Sequence, residues 1–479
     1  MEEPRVAVLA AAGRGRRVHP RRRAVPKVLL QVAGKTLLVR NLELVRDELG
    51  VKDFIVVVGH LGDQIREALG EGDSFGVRIR YVENENVEGG LGTILSAIEP
   101  HITERFYLVL GDELYLGSNH ADLKDLSQDS VATCALWKCQ DERMIRKNYI
   151  AKQENGRIVG LVEKPSEVDT QELGCGTFVF SPEIFDFVPD SPPRSGERLE
   201  LIDIIDQAAR AGRKVLPFAL TGDYINVNTM EDLNLACFAV RNAQEDRYKV
   251  SVVIPCYNEA DSILSVIRDF APHVDEVVVM DNESADGSAE IARRAGAVVH
   301  SQPLLGYGDA LKKGMDAATG EIIVLVEADG TFRAKDLGKF LEFLKDSDMT
   351  IGTRTTREMI EQGANMVGLL RWGNVVVGKL VEILWWEREP RFTDVGCTYR
   401  ALWKEAYEKI RPQLTRTDAA FSPEMMIEML RVNGRVLEIP VSYYGRQGGE
   451  SKHSGSLRHS IRTGLIMLNL IFRKRLNLL

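Results

Sequence analysis

Short apolar runs alternate with helical patterns along the first half of the chain. Residues 5–9, 54–58 and 106–110 have the composition of buried strands, and residues 37–48 have the apolar spacing of an amphipathic helix. Strands that alternate with helices in this way form a mostly parallel sheet flanked by helices. The pattern therefore predicts an α/β domain of Rossmann-like type.

The same alternation starts again in the second half, where residues 250–254, 276–280 and 322–326 are the predicted strands. A helical pattern at residues 232–247 runs into a charged stretch just before them. With 479 residues, the chain is also much longer than one domain of roughly 100 to 200 residues. We therefore predict two Rossmann-like α/β domains, at residues 1–245 and 246–455, and a tail at residues 456–479.

The tail combines arginine and lysine with leucine, isoleucine and phenylalanine, which predicts a basic amphipathic C-terminal helix. Such a helix can lie on an anionic lipid surface, or it can pack on its own domain or on a second subunit of a homo-oligomer. The sequence leaves these readings open. Its most apolar stretch, residues 465–472, is well short of the roughly 20 residues that cross a bilayer, so any membrane contact is predicted to be peripheral.

Composition and charge exclude some classes of protein. The formal net charge of -9 argues against a nucleic-acid-binding protein, whose surface concentrates positive charge. The 6 cysteines show neither paired CxxC spacing nor a disulfide framework, and the N-terminus lacks the order of a signal peptide. We therefore expect a cytoplasmic protein that binds small anions, with any lipid contact at the inner face of the membrane.

A loop of small and basic residues follows the first predicted strand. Main-chain N–H groups at Ala11, Gly13 and Gly15 can approach a triphosphate, and Arg16 and Lys27 can neutralise the charge on a leaving pyrophosphate. A glycine-rich loop alone is weak evidence, because a tight turn with solvated arginines has the same composition. The interpretation therefore depends on what else matches.

Further motifs do match. Asp112 follows the predicted strand at residues 106–110, at the edge where α/β sheets bind ligands, and is well placed to hold a metal ion. The other motifs are Gly92-Thr93, Glu163-Lys164-Pro165 and Asn226-Val227-Asn228-Thr229. In this order, they resemble the sugar-1-phosphate nucleotidyltransferase family across residues 4–240.

That resemblance implies an in-line attack by a sugar 1-phosphate on the α-phosphorus of a nucleoside triphosphate, with Mg²⁺ as cofactor and with an NDP-sugar and pyrophosphate as products. It assigns phosphates to Arg16 and Lys27, Mg²⁺ to Asp112, the sugar phosphate to Lys164, and the nucleotide pocket to Ala11, Gly13, Gly15, Gly92 and Thr93.

The second metal ligand is less clear from the resemblance. Many relatives have an aspartate where this chain has Asn226, whereas others use an asparagine that matches Asn228. We expect Asn228 to be the ligand. The alternative is that the whole run caps the helix that follows it.

Polar side chains also follow the predicted strands of the second half. Tyr257 and Glu259 come after the first of these strands, just beyond Pro255, and Asp281 follows the second. The base and ribose of a nucleotide require polar groups at neighbouring strand ends. The pattern therefore favours a nucleotide site at this edge of the second sheet.

Two carboxylates, Glu327 and Asp329, follow the third strand at a spacing that lets both lie near a metal ion on a pyrophosphate. A single acidic pair is usually solvated, but further motifs follow at residues 352–354, 394–400 and 446–452. The series resembles a family 2 glycosyltransferase of GT-A type, in particular the polyprenyl-phosphate sugar synthases, across residues 250–455.

This second resemblance implies a donor nucleotide bound by Tyr257, Glu259 and Asp281, and Mg²⁺ or Mn²⁺ bound by Asp329 and Glu327. The acidic motif of the family commonly begins with aspartate, so Glu327 is a departure. Basic and polar residues that can form an anion pocket for a lipid phosphate acceptor are Arg354, Arg400, Arg446, Ser451 and Lys452. Surface ion pairing is the alternative role for each of these cations.

Asp394 is the candidate general base if the acceptor is a hydroxyl. A phosphate acceptor needs no base, and Asp394 would then orient Arg400 or a sugar hydroxyl. The leading hypothesis is a bifunctional enzyme that makes an NDP-sugar and transfers its glycosyl unit. The competing hypotheses are an enzyme with one active half, or a sugar-nucleotide sensor or scaffold that binds without turnover.

Overall fold

The computed structural model describes residues 4–13, 25–126, 129–189, 198–243, 248–303, 306–361, 368–447 and 457–476. The chain divides into two compact units, Met1–Val240 and Arg241–Leu479. Each unit is a β-sheet with helices packed on its faces, which confirms the predicted fold class. The predicted boundary between residues 245 and 246 falls outside the described residues.

The first unit is built on a central sheet. The strands of this unit are β1 (Val6–Ala10), β2 (Gln31–Val32), β3 (Lys35–Thr36), β4 (Asp53–Val58), β5 (Arg78–Glu83), β6 (Phe106–Leu110), β7 (Glu113–Leu116), β8 (Ala132–Lys138), β9 (Tyr149–Glu154), β10 (Arg157–Glu163), β11 (Glu172–Phe180), β12 (Val215–Leu220) and β13 (Asp223–Asn226), of which β2 pairs only with β3 and β7 only with β13. Its helices are α1 (Leu37–Leu49), α2 (Gly62–Leu69), α3 (Thr93–Ile98), α4 (Glu142–Ile145), α5 (Leu201–Arg210) and α6 (Met230–Ala243).

The predicted strands form the parallel part of this sheet, in the order β6-β1-β4-β5. Successive side chains of a strand point to opposite faces, and here both faces are covered. Ala7 and Leu9 lie in one buried cluster, whereas Val8 and Ala10 lie in the other. This two-sided burial explains why β1 reads as an uninterrupted apolar run.

The rest of the sheet adds antiparallel pairings to the parallel strands that the sequence predicted for the first domain. Strand β11 pairs antiparallel with β6 and β8, and β9 pairs antiparallel with β10. Asn155 and Gly156 connect β9 to β10 with φ angles of 49° and 72°. Two-residue turns of this backbone type favour Asn-Gly, because both positions need positive φ. The sheet of the first unit is therefore mixed.

The second unit also has a single large sheet. Its strands are β14 (Val250–Cys256), β15 (Glu276–Asp281), β16 (Val298–Ser301), β17 (Ile322–Leu325), β18 (Met349–Thr353), β19 (Arg400–Trp403) and β20 (Val436–Pro440). Its helices are α7 (Ile263–Phe270), α8 (Ser288–Arg294), α9 (Tyr307–Ala317), α10 (Leu337–Leu344), α11 (Gly368–Leu384), α12 (Lys404–Ile410), α13 (Phe421–Arg431) and α14 (Leu457–Arg475).

The strand order of the second unit is β16-β15-β14-β17-β19-β18-β20, and only the two pairings made by β19 are antiparallel. The loops that follow β14, β15 and β17 therefore leave the same edge of the sheet. Within the described part of the chain, no helix is both long enough and apolar enough to span a bilayer.

Candidate active sites

Three predicted residues of the first unit meet at the ammonium group of Lys27. Lys27 begins a short 3-10 turn, Asp112 follows β6, and Asn228 follows β13. The Lys27 Nζ atom lies 2.6 Å from Asp112 Oδ2 and 2.8 Å from Asn228 Oδ1. Two hard oxygen atoms from distant parts of the chain thus converge on one cation.

Asn226 fixes the orientation of the Asn228 amide. Asn226 Oδ1 accepts a hydrogen bond from Asn228 Nδ2 at 2.8 Å, so Asn228 turns its oxygen towards Lys27. The main-chain N–H groups of Asn228 and Thr229 both donate to Asp232 Oδ2 at 2.8 Å. The run therefore caps α6, through the side chains of Thr229 and Asp232, while the side chain of Asn228 faces Lys27.

A buried carboxyl group that the sequence did not single out lies next to Asp112. Glu113 accepts hydrogen bonds from Tyr115, Tyr224 and the N–H group of Gly176 at 2.5, 2.8 and 2.7 Å. Burial, followed by the charge of Asp112, raises the pKa of Glu113 to about 7. These bonds pin the start of β7, and with it the backbone that carries Asp112. The sequence predicted the strand at residues 106–110 and Asp112 after it as a metal ligand, but indicated no role for Glu113.

The residues predicted to bind the nucleotide in the first unit differ in exposure and in hydrogen bonding. The N–H group of Ala11 donates to Val57 O at 2.9 Å, so this amide serves the sheet. The N–H group of Gly92 donates to Leu199 O at 2.8 Å, and a Cβ at Gly92 would lie 2.6 Å from the Leu199 side chain. Gly13 is exposed, whereas Gly15 and Arg16 lie outside the described residues.

A cleft of about 590 Å³ lies beside the Gly92-Thr93 pair, at the ends of β4 and β5. Its lining residues are Gly59, His60, Glu83, Asn84, Glu85, Asn86 and Glu88. Asn84 Nδ2 donates to Thr93 Oγ1 at 2.9 Å, which ties the cleft to the predicted nucleotide pocket. Sequence reasoning missed this segment, because its polar residues resemble an ordinary loop.

Lys164 is not part of the group that meets at Lys27. Its side chain is exposed, and its Nζ atom lies 3.1 Å from Glu163. Its φ angle is +46°, in the left-handed region that a lysine rarely adopts. The loop therefore holds Lys164 in a specific backbone conformation at the end of β10.

The second unit brings three predicted residues together around the guanidinium group of Arg446. Arg446 Nη1 lies 3.2 Å from Asp329 Oδ2, and Arg446 Nη2 donates to Glu259 Oε1. The other oxygen of Asp329 accepts from the N–H and hydroxyl groups of Thr331 at 3.0 and 2.7 Å. Asp329 thus keeps one oxygen fixed by its own loop and one facing a cation.

Glu327 lies beside this group. Thr398 Oγ1 donates to Glu327 Oε1 at 2.6 Å, and the Tyr307 hydroxyl lies 2.5 Å from Thr398. Burial, followed by the charge of Asp329, raises the pKa of Glu327 to about 7. The residue that departs from the family pattern is therefore a half-buried, hydrogen-bonded carboxyl group.

Asp394 is fully buried and binds Arg354 through both carboxylate oxygens. Arg354 Nε lies 2.8 Å from Asp394 Oδ2, and Arg354 Nη2 lies 3.0 Å from Oδ1. The Arg354 and Gly396 N–H groups donate to the same carboxylate at 3.1 Å each. Such a bidentate pair fixes the plane of the guanidinium group. Asp394 therefore orients Arg354, and not the Arg400 that the sequence suggested.

Arg400 has a different environment from the one expected of an acceptor-binding residue. Its side chain is 1% exposed and donates to the main-chain carbonyl groups of Val395, Cys397 and Ser422 at 3.0, 2.8 and 2.5 Å. Burial lowers the pKa of Arg400. Arg400 thus stabilises the loop next to Asp394. Its guanidinium group is buried, so the predicted contact with an acceptor phosphate is not supported.

The remaining predicted residues of the second unit are those for the donor nucleotide and, for the acceptor phosphate, Ser451 and Lys452. Cys256 pairs with Asp281 across β14 and β15, so the segment Pro255 to Glu259 and Asp281 share one sheet edge. Asp281 is buried and accepts from the Ser284 N–H group at 3.2 Å. Tyr257 is half-buried. Ser451 and Lys452 lie outside the described residues.

Known families match both units. The family described as nucleotidyl transferase matches residues 6–237, and glycosyl transferase family 2 matches residues 251–408. An uncharacterized glycosyltransferase of Mycobacterium tuberculosis is 34% identical to this chain over 217 residues, which are 44% of this chain and 93% of that protein.

Two proteins of Haloferax volcanii are also similar. Glycosyltransferase AglJ is 30% identical and covers 48% of this chain and 73% of its own length. The UTP–glucose-1-phosphate uridylyltransferase AglF is 28% identical and covers 47% of this chain and 92% of its own length. This chain therefore belongs to the nucleotidyl transferase family through its first unit and to glycosyl transferase family 2 through its second, and it is a bifunctional nucleotidyltransferase and glycosyltransferase.

Proposed function

We propose that the first unit makes an NDP-sugar from a nucleoside triphosphate and a sugar 1-phosphate, and that the second unit transfers the glycosyl group to the phosphate of a lipid. The observation that carries this proposal is that the two sites are arranged alike. In each unit, oxygen ligands from separate loops meet at one cationic side chain, Lys27 in the first and Arg446 in the second. Both sites are thus built for polyphosphate chemistry.

A divalent metal ion fits both sites, since Asp112 and Asn228 already face a cation in the first unit and Asp329 faces one in the second. Mg²⁺ commonly takes one or two protein oxygens and completes its shell with phosphates and water. Among the described residues, no group of three or more His, Cys, Asp or Glu side chains could hold a metal ion. Asp112 and Asn228 would hold Mg²⁺ in the first unit, and Asp329 with Glu327 would hold Mg²⁺ or Mn²⁺ in the second. A bound ion neutralises charge on phosphate oxygens.

In the first reaction, an oxygen of the sugar phosphate attacks the α-phosphorus and the bond to pyrophosphate breaks. The Lys27 ammonium group lies 2.6 and 2.8 Å from the two proposed metal ligands, so it is already beside the place where the phosphates would bind. Arg16 and Lys164 are proposed to contact the phosphates of the two substrates. Positioning and charge neutralisation supply most of the rate enhancement in such transfers.

In the second reaction, an oxygen of the acceptor phosphate attacks the anomeric carbon and the bond to the nucleoside diphosphate breaks. A phosphate is already a nucleophile and needs no base. Both oxygens of Asp394 are engaged by Arg354, which favours an orienting role over proton abstraction. Arg354 would then present its charge to the acceptor phosphate. This geometry favours a phosphate over a hydroxyl acceptor.

A screen of nucleoside triphosphates against sugar 1-phosphates, read by mass spectrometry and by pyrophosphate release, tests the first reaction. Turnover with at least one pair of substrates is expected. Absence of pyrophosphate with all pairs, together with measurable binding of nucleotide sugars, would favour a sensor or scaffold. Pyrophosphate release without glycosyl transfer to any acceptor would favour an enzyme with one active half.

We expect the second unit to use the product of the first as its donor, because one chain carries both sites and tethering raises the effective concentration of each near the other. To test this, the first product is identified and offered to the enzyme in a panel of nucleotide sugars with a polyprenyl phosphate. The expected result is that this donor gives the highest kcat/KM of the panel. Efficient transfer from another donor, with none from the first product, would contradict the match.

Asn228→Ala is expected to lower pyrophosphate release by about 10-fold to 100-fold and to raise the Mg²⁺ concentration needed for half-maximal rate, because it removes a metal ligand. Asn226→Ala removes only the residue that orients Asn228 and should cost less. Asn242→Ala, at an exposed position of α6, is the matched control. A larger loss in Asn226→Ala than in Asn228→Ala would show that the two roles are reversed.

A further inference from the structure

Helix α11 leaves an apolar stripe exposed to solvent. Trp372, Val376 and Ile383 are 63%, 65% and 68% exposed, and Trp386, in the short turn after the helix, is 72% exposed. Their spacing of four, seven and three residues places them on one face of a helix. Large exposed apolar side chains are common singly, but a contiguous stripe marks a surface that contacts something else.

The opposite face of α11 is fixed to the second unit. Val381 and Trp385 lie in the buried core. The Phe392 N–H group donates to Glu382 Oε1 at 2.6 Å, and a Cβ placed at Gly378 would lie 2.7 Å from Phe392 O. These contacts prevent α11 from rotating about its axis, so the stripe remains exposed to solvent.

Helix α14 presents a second stripe, formed by Leu465, Phe472 and Leu476, which are between 46% and 65% exposed. Its inner face packs on its own unit through Met467, Leu470 and Ile471. The structure thus places the predicted C-terminal helix on its own domain and still leaves apolar residues outside.

A buried cation holds α14 in place. Lys474 is 2% exposed, and its Nζ atom lies 2.9 Å from both Glu424 and Glu428 of α13. Near the same end of α14, Arg475 lies 2.6 Å from Glu387 and 5.6 Å above the ring of Trp385. The end of α14 is therefore tied to the turn that follows α11, and the two stripes belong to neighbouring helices.

Helix α14 is basic, whereas the whole chain is acidic. The sequence of α14 contains no aspartate or glutamate, although the formal net charge of the chain is -9. Arg462 and Arg473 are exposed on α14, and Arg388 is exposed beside Trp386. Basic residues attract anionic lipid headgroups, while tryptophan and leucine side chains enter the boundary between headgroups and acyl chains.

We propose that the exposed stripes of α11 and α14, with these arginines, form an interfacial surface that docks the second unit on an anionic lipid bilayer. The loop bound to the inner face of α11, residues 392–396, also carries Asp394. Docking through α11 would thus tie the Arg354–Asp394 pair to a helix that rests on the lipid. Binding to the bilayer requires no turnover, so it can fail independently of the proposed transfer reaction.

Flotation of the full-length enzyme with vesicles of phosphatidylglycerol and phosphatidylcholine in equal parts tests this surface without any substrate. The double variant Trp372→Ser/Trp386→Ser is expected to bind about 10-fold more weakly than the unmodified enzyme, because two large apolar side chains no longer enter the interface. Arg462→Gln/Arg473→Gln should weaken binding to these vesicles and remove most of its dependence on salt.

Phe343→Ser is the matched control, because Phe343 is 47% exposed on α10, outside both stripes. It should bind vesicles as the unmodified enzyme does. All variants alter exposed side chains and should keep the same thermal unfolding midpoint, unlike a deletion of α14, which would remove Lys474 from between Glu424 and Glu428.

Equal vesicle binding by the tryptophan variant and the unmodified enzyme would overturn the proposal. Equal binding to pure phosphatidylcholine vesicles would overturn the anionic part of it. A dimer that dissociates in the tryptophan variant, combined with no vesicle binding by the unmodified enzyme, would instead assign this surface to contact between two copies of the chain.

Discussion

Asp112→Asn is expected to reduce pyrophosphate release by roughly 100-fold or more, because it removes the carboxylate charge that balances Lys27 and would balance a bound metal ion at the first site. The substitution keeps the size of the side chain and its position after β6. Glycosyl transfer from a supplied nucleotide sugar should stay unchanged, since the proposed ligands of the second reaction lie in the other unit. Both rates are measured on the same preparation of the full-length enzyme.

Asp169→Asn provides the control for this variant, because Asp169 is an exposed carboxylate of the same unit. It should retain both activities. An equal loss of both activities in Asp112→Asn would contradict the assignment of separate sites, and normal pyrophosphate release would remove Asp112 from the first site.

The agreement between sequence and structure is closest where burial is two-sided. The predicted strand at residues 106–110 coincides with β6, and the starts of β14 and β15 were also predicted. A central strand must be apolar on both faces, so its pattern does not depend on distant partners. The antiparallel strands β8 to β11 were missed, although Asn155-Gly156 is a strong hairpin signal.

The candidate sites show the limit of sequence reasoning in a different way. Asp112, Asn228 and Lys27 were each singled out, but their convergence on one ammonium group depends on strand pairing across the sheet. Arg400 and Arg354 look alike in sequence, yet one is buried against carbonyl groups and the other is paired with Asp394. Local patterns identify the residue type that chemistry needs, whereas burial and partners are set by the fold.

The exposed stripe of α11 could not be predicted from the sequence. The helix is apolar on both faces, so the residues that pack inwards and those that remain outside have similar composition. Only the packing of Gly378 and Glu382 on Phe392 shows which face is outside. The amphipathic helix of the tail could be predicted, because basic and apolar residues are combined there.

Asp329→Asn is expected to lower glycosyl transfer by roughly 100-fold or more and to let the nucleotide sugar accumulate, because the first unit keeps working while the second loses a charge at its cation site. Its Oδ1 atom can still accept from Thr331, so the loop should keep its shape. Mass spectrometry follows the nucleotide sugar and the lipid product in one reaction. Asp346→Asn, at an exposed position of the same unit, should behave as the unmodified enzyme. Undiminished transfer by Asp329→Asn would show that this carboxylate does not bind the donor metal, and a simultaneous loss of pyrophosphate release would show that the two reactions share one site.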